Sequence, residues 1–229
     1  MKVAVILSGS GVYDGSEIQE SLFTLLAISE NKGTYECFAP DKKQFHVINH
    51  LTGEVTNEER NVLVESARVA RGKVQNITSL NVNEFEGLVI PGGYGVAKNL
   101  NEWAISGHES EIDSSISKVI NEFYDAKKPI VALCISPTLI AQALKNKTKV
   151  SLTVGNTKDK NAEGIKAVQK GIESLGAEII EKEITEVHVD LENKIISAPC
   201  YMLDCDLYDI RLNTKQAVDK LYYFIKNND

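Results

Sequence analysis

A thiol, a carboxyl and a pair of glycines are the residues through which this chain could do chemistry. Cys134 closes an apolar run in Pro129-Ile130-Val131-Ala132-Leu133-Cys134-Ile135-Ser136-Pro137. Four apolar residues after a proline, followed by serine and proline, predict a strand buried on both faces. The strand ends at the thiol, with Ser136 as the capping hydroxyl of a helix and Pro137 as its first residue. A cysteine ahead of a helix N-terminus meets unpaired amides and the positive end of the helix dipole. Both favour the thiolate, the form that attacks carbonyl carbon. Ala132 and Ser136 are small enough for the tight strand-to-helix turn of a nucleophile elbow. The alternative for Cys134 is a packed, inert thiol.

Two other loops can join it. Ser8 to Glu17 reads SGSGVYDGSE, glycine-rich between a strand and a helix, but Asp14 stands where GxGxxG needs glycine and no Walker lysine follows. Ser16 with Gln19 forms a capping box, which puts Glu17 in the first helical turn. A carboxyl there complements the helix dipole; beside a thiolate it would stay protonated by charge repulsion and relay protons. Gly92 and Gly93 follow the apolar strand ending at Ile90. They read either as a tight turn or as oxyanion donors, with the Ile135 amide as a further donor beside the nucleophile.

The elements that must position these groups alternate strand and helix along the chain. Strands are expected at Val3–Leu7, Tyr35–Ala39, 88–90, 130–133, Lys149–Thr153, 185–189 and 194–197. Helices are expected over Ser16–Glu30, Glu109–Ala126, from Pro137, over Asn161–Leu175, and at the close near Ile225. This is the order of an α/β protein with a mostly parallel sheet, whose functional groups gather beyond the carboxyl ends of the strands. At 229 residues and 43% hydrophobic content one core is expected, and residues 1–229 are read as a single domain. Lysine and arginine number 25 against 32 acidic residues, for a net charge of −7; with no basic run, nucleic acid is not an expected partner. The apolar run at Met1–Leu7 is too short for a signal peptide or a membrane span, and no membrane association is expected. Cys37, Cys134, Cys200 and Cys205 make neither a disulfide framework nor a metal site, which points to a reducing cytoplasm. Cys37, Cys200 and Cys205 read as packing thiols, and Asp204, Asp206 and Asp209 as an acidic helix start. Trp103 and Tyr94 either line a pocket or pack.

Several stretches resemble one family. VILSG with GVYDGSE, VINH with LTGE, RNVL, PGGYGVAKNL, CISP and PCYM look, in that order, like the ElbB-type proteins of the class I glutamine-amidotransferase-like, PfpI/ThiJ superfamily. The resemblance implies a flavodoxin-like three-layer α/β/α sandwich, a homodimer and an older link to isoprenoid biosynthesis. It also implies a glutathione-independent, glyoxalase III-like lyase that turns methylglyoxal or glyoxal into a hydroxy acid without a cofactor or metal. Carried over, the nucleophile falls on Cys134, its partner carboxyl on Glu17, and the oxyanion donors on the backbone near Gly93 and Ile135.

Histidine departs from the wider superfamily. Ile135, not histidine, follows the nucleophile, and no late His-x-Glu pair occurs, against a Cys-His-Glu glutaminase triad. His188 is the best histidine candidate, with an exposed strand position as its plain alternative; His46, His50 and His108 read as solvated or capping. Three functions stay open: a small-dicarbonyl enzyme, an amidotransferase-like subunit, and a redox-responsive protein in which Cys134 is oxidised.

Overall fold

The computed structural model describes residues 1–227, and its strands run β1 (Lys2–Ile6), β2 (Thr34–Ala39), β3 (Val74–Asn76), β4 (Gly87–Ile90), β5 (Ile130–Leu133), β6 (Ser151–Leu152), β7 (Glu178–Ile179), β8 (His188–Asp190) and β9 (Ile195–Ala198). Seven form one sheet in the order β3-β2-β1-β4-β5-β9-β8, parallel throughout except for the antiparallel β8–β9 edge. β6 and β7 pair as a separate parallel ribbon. Every residue of β4, β5 and β9 is buried, as continuous apolar runs demand when helices cover both faces. The helices are α1 (Ile18–Glu30), α2 (Val62–Val69), α3 (Trp103–Ser106), α4 (Ser114–Asp125), α5 (Pro137–Leu144), α6 (Ala162–Ser174) and α7 (Leu207–Asn227). The expected flavodoxin-like α/β sandwich is present.

Among the described residues, no helix is long and apolar enough to cross a membrane.

Several boundaries differ from expectation for local reasons. α1 starts at Ile18 because Glu17, not Ser16, is its cap. The helix expected from Glu109 starts at Ser114. Gly107–Glu109 is a separate 3-10 turn, and Asp113 accepts from the Ser115 amide to begin α4. β6 is confined to two residues, and β8 lies beyond most of the stretch expected as a strand. α2, capped by Asn61, and the three-residue β3 were not foreseen.

A π-helical turn, Val96–Leu100, follows the glycine loop after β4; such turns recur at functional sites. It places Asn99 in the interior. Its Nδ2 donates to the carbonyls of Ser8 and Asp14, both at 2.9 Å, and its Oδ1 accepts from the Phe45 amide at 2.9 Å.

Candidate active site

The chain leaves β5 through a residue held in the left-handed region: Cys134 has φ +58°. Such a backbone costs a non-glycine residue about 1–3 kcal/mol and persists only where its surroundings impose it. Here the Cys134 amide donates to the Ala198 carbonyl at 2.9 Å, and the Ser136 amide donates back to Leu133 at 2.9 Å. The elbow read from the sequence exists, with Pro137 opening α5. The role assigned to Ser136 needs correction. Its hydroxyl caps nothing and instead donates to the Pro91 carbonyl at 2.8 Å, tying the elbow to the loop after β4.

That loop must approach very closely. A Cβ on Gly92 would lie 2.4 Å from the Cys134 Cβ, so only glycine fits. Gly93 has φ +102°, and a Cβ there would lie 2.4 Å from the Glu17 nitrogen. The Gly93 and Ile135 amides lie near enough to the Cys134 sulfur to favour its charged form, and an oxyanion formed beside it would meet them. Gly92 is not a third donor, contrary to expectation. Its N–H is spent on Glu20 Oε2 at 2.8 Å, and its carbonyl accepts from the Glu17 amide at 2.9 Å.

Glu17 stands at the cap of α1, where its Oε2 accepts from the Glu20 amide at 2.7 Å. Ser16 turns away, its hydroxyl accepting from the Ser8 amide at 2.8 Å. Burial raises the Glu17 carboxyl above its ordinary value against the pull of the Glu20, Gln19 and Ile18 amides. Desolvation, not repulsion by a thiolate, is therefore the cause.

Glu20 is the residue that sequence reasoning missed. It is fully buried, accepts from the Gly92 and Tyr201 amides at 2.8 and 3.3 Å, and faces the Cys134 thiol. Burial first, and then the Glu17 charge, push it up to about 7. A signal was present: Glu20, Thr24, Ala27 and Ile28 share the buried stripe of α1, and an acid on such a stripe calls for explanation.

The thiol also differs from expectation. Burial and then the nearby Glu20 charge raise Cys134 well above the ordinary thiol value, outweighing the Gly93 and Ile135 amides. The resting group is a thiol beside a carboxyl able to take its proton, rather than a preformed thiolate.

Above Cys134 opens a cleft of about 280 Å³. Trp103, Val168, Met202, Ala97, Tyr94 and Val12 form much of its wall, with Glu17, Gly93 and Ile135 near the sulfur. No histidine lines it. His188 is half-buried rather than exposed, paired with Ser197 on the β8 edge and joined to Ser151 Oγ at 2.8 Å. Cys200 is buried against Thr214, its sulfur 3.7 Å from Oγ1, and the Cys205 thiol donates to the Leu203 carbonyl. Asp206 accepts from the Tyr208 and Asp209 amides, as an acidic helix start should. No group of three or more His, Cys, Asp or Glu is placed to hold a metal among the described residues.

No family model matches the chain. It is similar to the ES1 protein homolog, mitochondrial, of Rattus norvegicus, 40% identical over 96% of this chain and 82% of that protein. It is 39% identical to the human glutamine amidotransferase-like class 1 domain-containing protein 3, mitochondrial, over 91% of this chain and 78% of that protein. The crystal structure of an isoprenoid biosynthesis protein with amidotransferase-like domain from Ehrlichia chaffeensis superposes with a TM-score of 0.89 at 36% identity, covering 98% of this chain and 99% of that one. A ThiJ/PfpI domain protein from Brachyspira murdochii shares the fold, with a TM-score of 0.58 at 13% identity over 97% of this chain and 96% of that one. The mitochondrial names of the rat and human relatives overturn the cytoplasmic expectation. Free thiols report a reducing environment and do not by themselves specify the compartment.

Proposed function

The chain belongs to the family of the ES1 proteins and the glutamine amidotransferase-like class 1 domain-containing protein 3, and from that premise we propose that it is a glutathione-independent glyoxalase-type enzyme acting on 2-oxoaldehydes. The observation that carries the reading is the set of groups around one sulfur: two amides and a buried glutamate beside Cys134, with a second carboxyl in the same apolar cleft.

Each group has a step. The Cys134 thiol adds to the aldehyde carbon while its proton passes to Glu20, and the Gly93 and Ile135 amides hold the oxygen of the hemithioacetal. Glu17 removes the hydrogen on that carbon as a proton while the thiol's proton passes from Glu20 to the ketone oxygen, giving an enediolate; Glu17 then returns its proton to the neighbouring carbon, and both carboxylates are restored. The product of these steps is a thioester, which water cleaves to a 2-hydroxy acid and the free thiol. One carbon is oxidised and its neighbour reduced, so the reaction balances with water alone.

The competing readings lack groups they need. A glutaminase of the Cys-His-Glu type needs histidine on its thiol, and among the described residues none lines this cleft. An isoprenoid diphosphate needs cations, and neither lysine nor arginine lines it. A homodimer remains part of the proposal. Ile18, Leu22 and Leu26 form an exposed apolar stripe on α1, and light scattering at working concentration tests it.

The activity is tested by following methylglyoxal loss and lactate formation without glutathione, in native protein, Cys134→Ala and a Cys205→Ala control. Turnover lost only in Cys134→Ala is expected. Inert, fully reduced native protein overturns the reading.

A further inference from the structure

We infer that the cleft selects uncharged 2-oxoaldehydes bearing an aryl or branched alkyl substituent over methylglyoxal and glyoxal; this rests on the glyoxalase-type reading and names its substrate class. Three observations carry it.

The first is size. A cleft of about 280 Å³ has the volume of about nine waters at roughly 30 Å³ each, more than the five heavy atoms of methylglyoxal fill. A small dicarbonyl would reach the sulfur and leave most of the wall unoccupied.

The second is chemistry. The wall includes Trp103, Tyr94, Val168, Met202, Ala97 and Ala104, with Asn161 and Tyr201 as its neutral polar members, and Glu17 is the one charged side chain among the described lining residues. An anionic 2-oxo acid or phosphate ester would be desolvated beside a carboxyl with no cation to pair with. A flat aromatic or branched aliphatic group removes apolar wall from water at no such cost, and Trp103 and Tyr94 suit ring contacts.

The third is rigidity. Trp103 is held from behind by α6: a Cβ on Gly171 would lie 2.7 Å from the Trp103 Cζ2. The helix has a glycine where the indole seats against it, and Gly164 and Val168 of the same helix continue the wall. A slot whose large side chain is braced this way is formed before the substrate arrives. The reaction is unchanged: phenylglyoxal plus water gives mandelate, the aldehyde carbon becoming carboxylate and the ketone carbon alcohol.

The test compares initial kcat/KM for phenylglyoxal, methylglyoxal and glyoxal on native protein without glutathione. Phenylglyoxal is expected to exceed methylglyoxal by about tenfold or more, chiefly through KM, since even a methylene in an apolar pocket discriminates by that order. Ala104→Phe, at an exposed position on the wall that accepts bulk without disturbing the core, is expected to collapse the ratio by penalising phenylglyoxal more than methylglyoxal. Methylglyoxal turned over as well as phenylglyoxal overturns this inference and leaves the glyoxalase reading standing. No turnover of any oxoaldehyde overturns both. A measurement independent of turnover uses Trp103, the sole tryptophan, as a fluorescent reporter. Its emission is expected to respond to cyclohexyl methyl ketone at concentrations where acetone has no effect, and equal responses overturn apolar selection.

Discussion

The groove bounded by α1, α2 and the β2–β3 edge measures about 990 Å³ and has Cys37 in its wall; the cleft above Cys134 measures about 280 Å³. Both thiols are buried, and desolvation raises both, Cys37 to about 12. Their surroundings separate them. Cys37 lies within β2, its backbone committed to the sheet, and burial is the one cause of its shift. Cys134 has left the sheet at a strained elbow, with two amides and a carboxyl beside its sulfur. Volume does not single out the candidate site; convergence of polar groups on one reactive atom does.

The comparison breaks most visibly at the thiols themselves. Cys134→Ala is expected to lower kcat/KM for an oxoaldehyde by about 10³-fold or more, while Cys37→Ala stays within about twofold and loses about 1 kcal/mol of stability. Equal losses of activity in the two variants would erase the distinction. Next in size is Glu20→Gln, expected to lower kcat by about 10²-fold, the scale of one acid–base group. Glu20 must be ionised to take the thiol proton, so native activity should rise as pH passes about 7. The glutamine variant should lose that rise, and a pH–rate profile of each decides the matter.

The same carboxyl makes stability depend on pH, with a definite sign. Its folded value of about 7 lies above the ordinary 4.5, so the folded state holds a proton that the unfolded chain has released. Stability is full below 4.5, falls between 4.5 and about 7, and is flat above. The total loss is about 3 kcal/mol. Urea midpoints measured across that window should show the slope in native protein and a much smaller one in Glu20→Gln, where the raised Glu17 carboxyl still contributes. The smallest effect sharpens the other side of the comparison. Lys73→Ser, on the exposed wall of the larger groove, should leave kcat/KM within twofold and stability within about 0.5 kcal/mol.

The elbow was legible because its signals are local: an apolar run, a thiol, then serine and proline. Glu17 was legible as a helix-start carboxyl, although its part as the cap was not, because Ser16 offers the better capping chemistry in sequence. Only the close approach of Ser8 shows that Ser16 is already engaged. Glu20 and the spent amide of Gly92 share one cause. Each is defined by the other across 72 positions of chain, and pattern within a window cannot report such a pair. The resting state of Cys134 was misjudged for a related reason. A helix N-terminus is visible in sequence, whereas full burial beside a second carboxyl is a property of the assembled fold. The cleft wall of Trp103 and Val168 likewise depends on α3 and α6 meeting, which spacing does not encode.

Asn99 couples two segments that contribute Val12 and Ala97 to the cleft wall to a third that does not. One carboxamide holds the loop after β1 at two points and the segment at Phe45 at a third, while its own backbone belongs to the π-helical turn beyond the glycine loop. Swinging any one loop outward strands a buried donor or acceptor on the shared amide, at about 1–3 kcal/mol. Releasing all three together exposes the amide to water, which replaces every lost partner at once. The three segments are therefore mechanically coupled: displacing one alone leaves a buried partner unpaired, so the loop after β1, the Phe45 segment and the π-helical turn hold one another in place.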